Sequence, residues 1–323
     1  MMSSDAVETD LPATVRIGTR GSPLARWQAG WVADRLREAH PGLEVVLVEI
    51  KTQGDRDRNS PLSAIGGLGL FTKEIQRALA DSAVEVAVHS LKDLPTSGPE
   101  GLTLGAVPPR EDLADALIAP VYQTLEALPL GATVGTGSLR RRAQLLFARP
   151  DLRVVDVRGN VETRLNLALR GTLDAVVLAE AGLRRLHLHH HVTERLGPPR
   201  FLPAVGQGAL GIECRASDAT TRRLLAPLDD PATRRAVVAE RAALAELEGG
   251  CMIPMAAWAR DDDASGSGPV LALDASVFDP DGRERVSAGE VGPRDDPGAL
   301  GRRVAQTLRG LGADALLQRV RHP

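Results

Sequence analysis

The chain has 323 residues, a hydrophobic share of 43%, a charged share of 25% and a net charge of -3. That length and apolar content support two or three domains with sizeable cores, and they exclude an intrinsically disordered polymer. The slight acidity excludes a general nucleic-acid binder, which carries a basic surface, and no apolar run reaches the roughly 20 residues that cross a bilayer. Two cysteines, Cys214 and Cys251, are too few for a disulfide framework. Residues 1–11 are polar and acidic without an apolar core, which reads as a disordered tail rather than a signal peptide. A cytoplasmic protein without nucleic-acid or membrane partners is expected. Lysine supplies only three of the 39 basic residues, so arginine abundance is background and arginine position carries the information.

In chain order, Ala13–Gly18 reads as a strand and Pro23–His40 as a helix, with Ser22 as its cap and Pro23 in its first turn. Leu43–Ile50 is a β-branched strand, Phe71–Asp81 a helix and Val84–Val88 a buried strand. Strands follow at Leu102–Val107 and Ala114–Ala119. The style then repeats. Thr133–Val134 leads to a helix near Ser138–Arg149, then come a strand at Leu152–Val157, a helix at Val161–Arg170 and a strand at Leu173–Ala179. Ala209–Cys214 is one more strand, before helices near Asp218–Ala226 and Ala232–Glu248. The last part holds strands near Ile253–Ala259, Val270–Val277 and Glu284–Ala288, and helices at Ala299–Leu311 and Ala313–Val320. Alternating strands and helices predict α/β domains, and the closing pattern predicts a small α+β domain.

Four strand-to-helix turns concentrate chemistry-bearing residues. In Arg16-Ile17-Gly18-Thr19-Arg20-Gly21-Ser22-Pro23, a helix start offers free N–H groups beside Arg20 and Ser22, with Gln28 further along the helix. Taken alone this reads first as a capped helix with a surface arginine. In Val88-His89-Ser90-Leu91-Lys92-Asp93-Leu94-Pro95, Lys92 and Asp93 stand at the carboxyl end of an apolar strand, where Asp93 is placed to stabilise a developing positive charge. A local ion pair in a turn is the plain alternative. Gly135-Thr136-Gly137-Ser138-Leu139-Arg140-Arg141 puts cations at a helix start, which the helix dipole disfavours unless an anion binds there. Arg158 and Arg164 bracket the next turn, and Arg184-Arg185 follow Ala181-Gly182. Guanidinium forks at such positions grip carboxylates. His187, His189, His190 and His191 form a histidine-rich patch without the carboxylate or cysteine neighbours of a metal site, and no metal is expected. Cys214 reads as a buried apolar residue. Cys251, in Gly249-Gly250-Cys251-Met252-Ile253-Pro254, reads as an accessible thiol on a loop.

Together these stretches resemble the porphobilinogen deaminase family. Arg16–Ala25, Gly66–Glu74, Ala87–Thr96, Gly135–Arg141, Arg158–Arg164, Pro203–Arg215 and Gly249–Pro254 carry the likeness, from about Val15 to Met255. The resemblance implies two periplasmic-binding-protein-like α/β domains flanking a cleft, plus a small C-terminal α+β domain. Domain 1 is then 12–108 with 205–227, domain 2 is 109–204, and domain 3 is 228–323. It further implies a monomeric transferase that condenses four porphobilinogen molecules into hydroxymethylbilane. Its primer is a dipyrromethane cofactor linked by a thioether at Cys251. On this likeness Asp93 is the catalytic carboxylate. Cofactor contacts are expected from Cys251, Lys92, Asp93, Arg140, Arg141, Arg164 and Arg185, with Thr136, Ser138 and Gln207 assisting. Substrate contacts are expected from Arg20, Ser22, Gln28, Arg158, Arg164 and Arg185. The Gly-rich, polar stretch Lys51–Leu68 is expected to be a mobile loop over the cleft, and because Leu68 and Ala64 stand where lysine is frequent in the family it is not expected to supply a cationic lid. A two-lobed anion receptor without catalysis and a thiol hydrolase are the competing readings. The first has no use for an exposed thiol, and the second lacks a local signature around Cys251.

Overall fold

The computed structural model describes residues 12–52, 72–247, 253–262 and 269–321. The expected tail, the Gly-rich stretch with Ala64 and Leu68, and Cys251 lie outside the described residues. The first elements are β1 (Thr14–Thr19), α1 (Pro23–Ala39), β2 (Glu44–Glu49), α2 (Lys73–Ala80), β3 (Val86–Ser90) and β4 (Leu102–Ala106). Then come β5 (Asp115–Ile118), β6 (Thr133–Gly135), α3 (Leu139–Ala148), β7 (Arg153–Val155), α4 (Val161–Leu169), β8 (Ala175–Ala179), α5 (Glu180–Arg185) and β9 (Glu194–Leu196). The chain closes with β10 (Leu210–Arg215), α6 (Ala219–Leu225), α7 (Pro231–Glu246), β11 (Met255–Asp262), β12 (Val270–Phe278), β13 (Arg285–Pro293), α8 (Pro297–Gly310) and α9 (Ala313–Arg321).

The mixed α/β class read from the sequence is observed. One five-stranded sheet has the order β2-β1-β3-β10-β4 and a second has the order β7-β6-β8-β5-β9. In the first, β1 runs parallel to β2 and β3, and β10 is inserted antiparallel between β3 and β4. In the second, β6 runs parallel to β7 and β8, and β5 is inserted antiparallel between β8 and β9. The two sheets therefore share a plan, which places β1, β3 and β6 with their carboxyl ends free to carry turns. A three-stranded antiparallel sheet, β11-β12-β13, forms the last unit.

Side-chain caps set where the helices begin. The Ser22 hydroxyl accepts from the Ala25 N–H at 3.3 Å before α1, and Pro23 occupies the first turn, where no N–H is needed. Ser138 caps α3 and Asn160 caps α4 in the same way. Val32, Ala33 and Leu36 on α1 bury against Val15, Ile17 and Val86 of the first sheet. The third sheet packs Leu271, Leu273 and Val277 against Ala239 and Ala243 of α7 and Val304 and Leu308 of α8.

The β12–β13 turn docks on α3. Gly282 has φ +71°, and a Cβ there would lie 2.5 Å from the Phe147 nitrogen and 2.7 Å from the Ala143 carbonyl oxygen. Only glycine permits this approach. Phe278 meets Phe147 edge-on at 5.9 Å, so the last unit grips the helix whose first turn carries Arg140 and Arg141. Three features differ from the sequence reading. β9 and the short helix α5 were not expected, and β13 extends to Pro293 because all nine of its residues pair with β12.

Candidate active site

The first wall of the site is built on the carboxyl ends of β1 and β3. Arg20 and Ser22 follow β1, and a 3-10 turn, Leu91–Asp93, follows β3. Leu91 and Leu94 are buried, which leaves Lys92 half-buried and Asp93 exposed between them. Gln28 on α1 is buried and its amide nitrogen donates to the Ser90 hydroxyl at 2.9 Å, tying helix to strand end. Arg20, Ser22, Gln28, His89, Ser90 and Asp93 line one small cavity, in which Asp93 is the sole carboxylate among the described lining residues. A larger depression lined by Thr103, Arg222, Arg223 and Arg234 gathers none of the expected site residues.

The second wall comes from the other five-stranded sheet. Burial lowers the Arg164 guanidinium below its usual value, and Asp93 is the strongest of the charges that oppose this. Asp93, after β3 of the first sheet, and Arg164, on a helix of the second, thus lie within electrostatic reach of one another. Arg158 lies close enough to add repulsion at Arg164, and it approaches Asp156 at 3.9 Å. Arg185 on α5 is buried, its Nη2 donates to the Gly208 carbonyl at 2.6 Å, and it lies over the Trp27 ring at 5.9 Å. Burial pushes its guanidinium down to about 10.

Behind the two walls sits a junction. Asp115, at the start of β5, accepts two hydrogen bonds from Arg140, at 2.7 and 3.1 Å, and one from Arg141 Nε at 2.8 Å. Arg140 also donates to the Leu202 carbonyl, and Arg141 to those of Val177 and the Gln207 side chain. Burial alone would raise the Asp115 carboxyl, but Arg140 and Arg141 outweigh it and hold the group far below the carboxylate range. Gln207 is fully buried. Its amide nitrogen donates to Asp115 at 2.9 Å and to the Leu113 carbonyl at 2.8 Å, and its oxygen takes the Lys92 ammonium at 3.5 Å. Burial first, then repulsion from Arg141, lowers Lys92 to about 8. A second ion pair, Arg110 with Glu240 at 2.7 Å, ties this crossing to α7, and Glu240 also accepts from the Gly206 N–H.

Arg20, Ser22, Gln28 and Asp93 thus share the small cavity, the charges of Asp93 and Arg158 reach Arg164, Lys92 and Arg141 meet on Gln207, and Arg185 reaches the neighbouring Gly208 carbonyl; the crevice lies between the two walls. Thr136 and Ser138 serve their own turn. The Thr136 hydroxyl accepts from the Ser138 N–H, and the Ser138 hydroxyl caps α3. The Arg140 fork, read as a ligand grip, is occupied by Asp115. Sequence reasoning passed over Asp115, whose one signal is an acid in the apolar run Ala114–Ala119. Three residues of the histidine patch, His189–His191, form a 3-10 turn. Among the described residues, no group of three or more His, Cys, Asp or Glu is placed to hold a metal ion.

The crevice fits an anionic cofactor with several carboxylates. Arg158 Nη2 and Arg164 Nε are buried and have no hydrogen-bond partner. Buried, unpartnered guanidinium N–H groups are costly and uncommon, and a carboxylate satisfies them directly.

The family model for the porphobilinogen deaminase dipyrromethane cofactor-binding domain matches residues 15–223, and that for the porphobilinogen deaminase C-terminal domain matches 234–310. The porphobilinogen deaminase of Desulforudis audaxviator is 51% identical over 95% of this chain and 98% of its own length. That of Moorella thermoacetica is 50% identical over 95% and 96%, and that of Maridesulfovibrio salexigens 47% over 95% and 98%. Among solved structures, the methionine-binding protein MetQ aligns over 67% of this chain and 89% of its own, at 11% identity and a TM-score of 0.44, too distant to carry an argument. Two matched domain models and near-complete relatives at about half identity establish that this chain belongs to the porphobilinogen deaminase family.

Proposed function

We propose that this chain deaminates porphobilinogen and joins four units head to tail into the linear tetrapyrrole hydroxymethylbilane, with Cys251 as the cofactor anchor and Asp93 as the catalytic carboxylate. Membership of the family supports the reaction. Asp93, the one carboxylate among the described residues lining the small cavity and an opposing charge within reach of Arg164, carries the assignment of the chemistry.

When bound, the dipyrromethane supplies the tethered nucleophilic pyrrole end from which the product grows. The chain's own residues do the rest. Arg20 and Ser22 on the first wall, and Arg158, Arg164 and Arg185 on the second, hold acetate and propionate groups, bidentate where a guanidinium fork is available. Lys92 adds a compact cation at the junction. As ammonia leaves the aminomethyl arm of the substrate, positive charge grows on the pyrrole nitrogen. A fixed carboxylate at Asp93 stabilises that charge, and arginines gripping the side chains keep the ring in register with it. Arg140 and Arg141, locked on Asp115, hold the second wall in place before the ligand arrives.

We further propose that the enzyme works as a monomer in the cytoplasm. No helix among the described residues is long and apolar enough to cross a membrane.

The test is stoichiometry. Purified protein incubated with porphobilinogen should consume four molecules, release four ammonia and yield one linear tetrapyrrole. Saturable binding of porphobilinogen with no ammonia release would overturn the reading in favour of a receptor.

A further inference from the structure

Asp93 is held from behind by a helix of the last unit. Arg241 on α7 donates from Nη1 to the Leu94 carbonyl at 2.9 Å and from Nη2 to the Pro95 carbonyl at 2.6 Å. These are the two residues that follow Asp93. One turn earlier on the same helix face, Val237 is buried against Leu91 and Leu94, the apolar residues that flank Lys92-Asp93. The Leu94 N–H closes the 3-10 turn onto the Leu91 carbonyl at 3.1 Å. Pro95 has no N–H, so beyond that bond the segment leaving the turn is anchored through its carbonyls. The planar Arg241 fork spans two consecutive carbonyls, which a lysine ammonium cannot do in the same geometry.

The same helix ends at Glu246, five residues before Cys251 in the sequence. One rigid rod thus grips the backbone behind Asp93 and leads into the segment that bears the cysteine. We propose that Arg241 is a positioning residue for the reaction. It fixes the main chain after Asp93 and so sets that carboxylate relative to the cysteine-bearing domain. The proposal rests on the assignment of Asp93 above.

The test uses the full-length, cofactor-loaded enzyme and the variants Arg241→Gln and Arg241→Lys, with Val237→Ala as the packing control. Turnover and KM for porphobilinogen are measured well below the thermal midpoint, and hydrogen exchange is followed in peptides covering Leu91–Thr96. The expected result for Arg241→Gln is a fall in kcat of about tenfold or more, as misplaced catalytic groups produce, with KM within about twofold and faster exchange confined to that peptide. Arg241→Lys should fall between it and the parent. Unchanged exchange in Leu91–Thr96, or faster exchange with unchanged kcat, overturns the proposal. Should Arg241→Gln not fold, Arg241→Lys is read by the same criteria. If the parent enzyme itself fails to consume porphobilinogen, the assigned function falls, while the exchange experiment still decides whether Arg241 fixes the turn.

Discussion

The Gln207 amide donates to the Asp115 carboxylate at 2.9 Å, joining the segment that leads into β10 of the first sheet to the first residue of β5 of the second. Around this contact Arg140, Arg141 and Lys92 converge on two side chains, and both of those are buried. Removing one partner of a buried ionic cluster strands the others, at a cost of about 3–5 kcal/mol. Asp115→Ala should therefore lose about that much stability in denaturant unfolding. Asp281→Ala, which breaks the exposed Arg142–Asp281 pair at 3.2 Å, should lose under about 1 kcal/mol. Equal losses would remove Asp115 from its structural role. The sign with pH follows from the lowered Asp115 carboxyl. Its contribution is present above the unfolded value near pH 4 and fades as pH falls below it, so the parent should lose stability more steeply in acid than Asp115→Ala.

Lys92 provides a second pH dependence. Its ammonium titrates at about 8, because burial and Arg141 disfavour the charge. A folded value below the unfolded one means that the charged form costs stability below about pH 8, a cost relieved as pH rises toward the unfolded value. Ligand binding runs the other way, since deprotonation removes a cation from a carboxylate site. KM for porphobilinogen should rise above about pH 8 in the parent. In Lys92→Arg the rise should move to higher pH, because a guanidinium keeps its proton. Superimposable profiles would exclude Lys92 from the binding site.

Arg164 separates function from stability. Its buried Nε has no partner and its charge is disfavoured by burial. Replacing such a group relieves the fold while removing a ligand contact. Arg164→Gln should melt at the same temperature as the parent or higher, yet lose about 100-fold or more in kcat/KM, the scale of a lost positioning contact. A large drop in thermal midpoint would mean that Arg164 is structural.

Asp93 is exposed, so its truncation should change stability by no more than about 0.5 kcal/mol. Loss of a preorganised charge aimed at the reacting nitrogen costs roughly 100- to 1,000-fold in kcat. Asp93→Ala should therefore bind porphobilinogen and turn it over at that reduced rate. Near-normal turnover would remove Asp93 from the chemistry.

Local chemistry made much of this site legible. Ser22-Pro23 announces the start of α1, and the apolar run before Ser90 announces a buried strand whose end must carry Lys92 and Asp93. Arginines at Gly-rich turns were visible because such turns recur in two similar halves. Pairing partners were not visible. β10 reads as a strand, but no local pattern states that it lies antiparallel between β3 and β4, because that choice is made by long-range packing. β9, three residues long, carries too little periodicity to be seen. Asp115 escaped notice because one acid in an apolar strand has meaning only beside the Arg140 and Arg141 forks, and those were read as facing the ligand. Arg241 escaped because its partners are main-chain carbonyls, which any sequence supplies.

Whether Cys251 carries the cofactor in this crevice is decided by the intact mass of the purified protein. The expected result is a mass increase equal to a dipyrrole, mapped by peptide fragmentation to Cys251 and absent from Cys251→Ser. An unmodified Cys251 in protein that still converts porphobilinogen to a tetrapyrrole would contradict it.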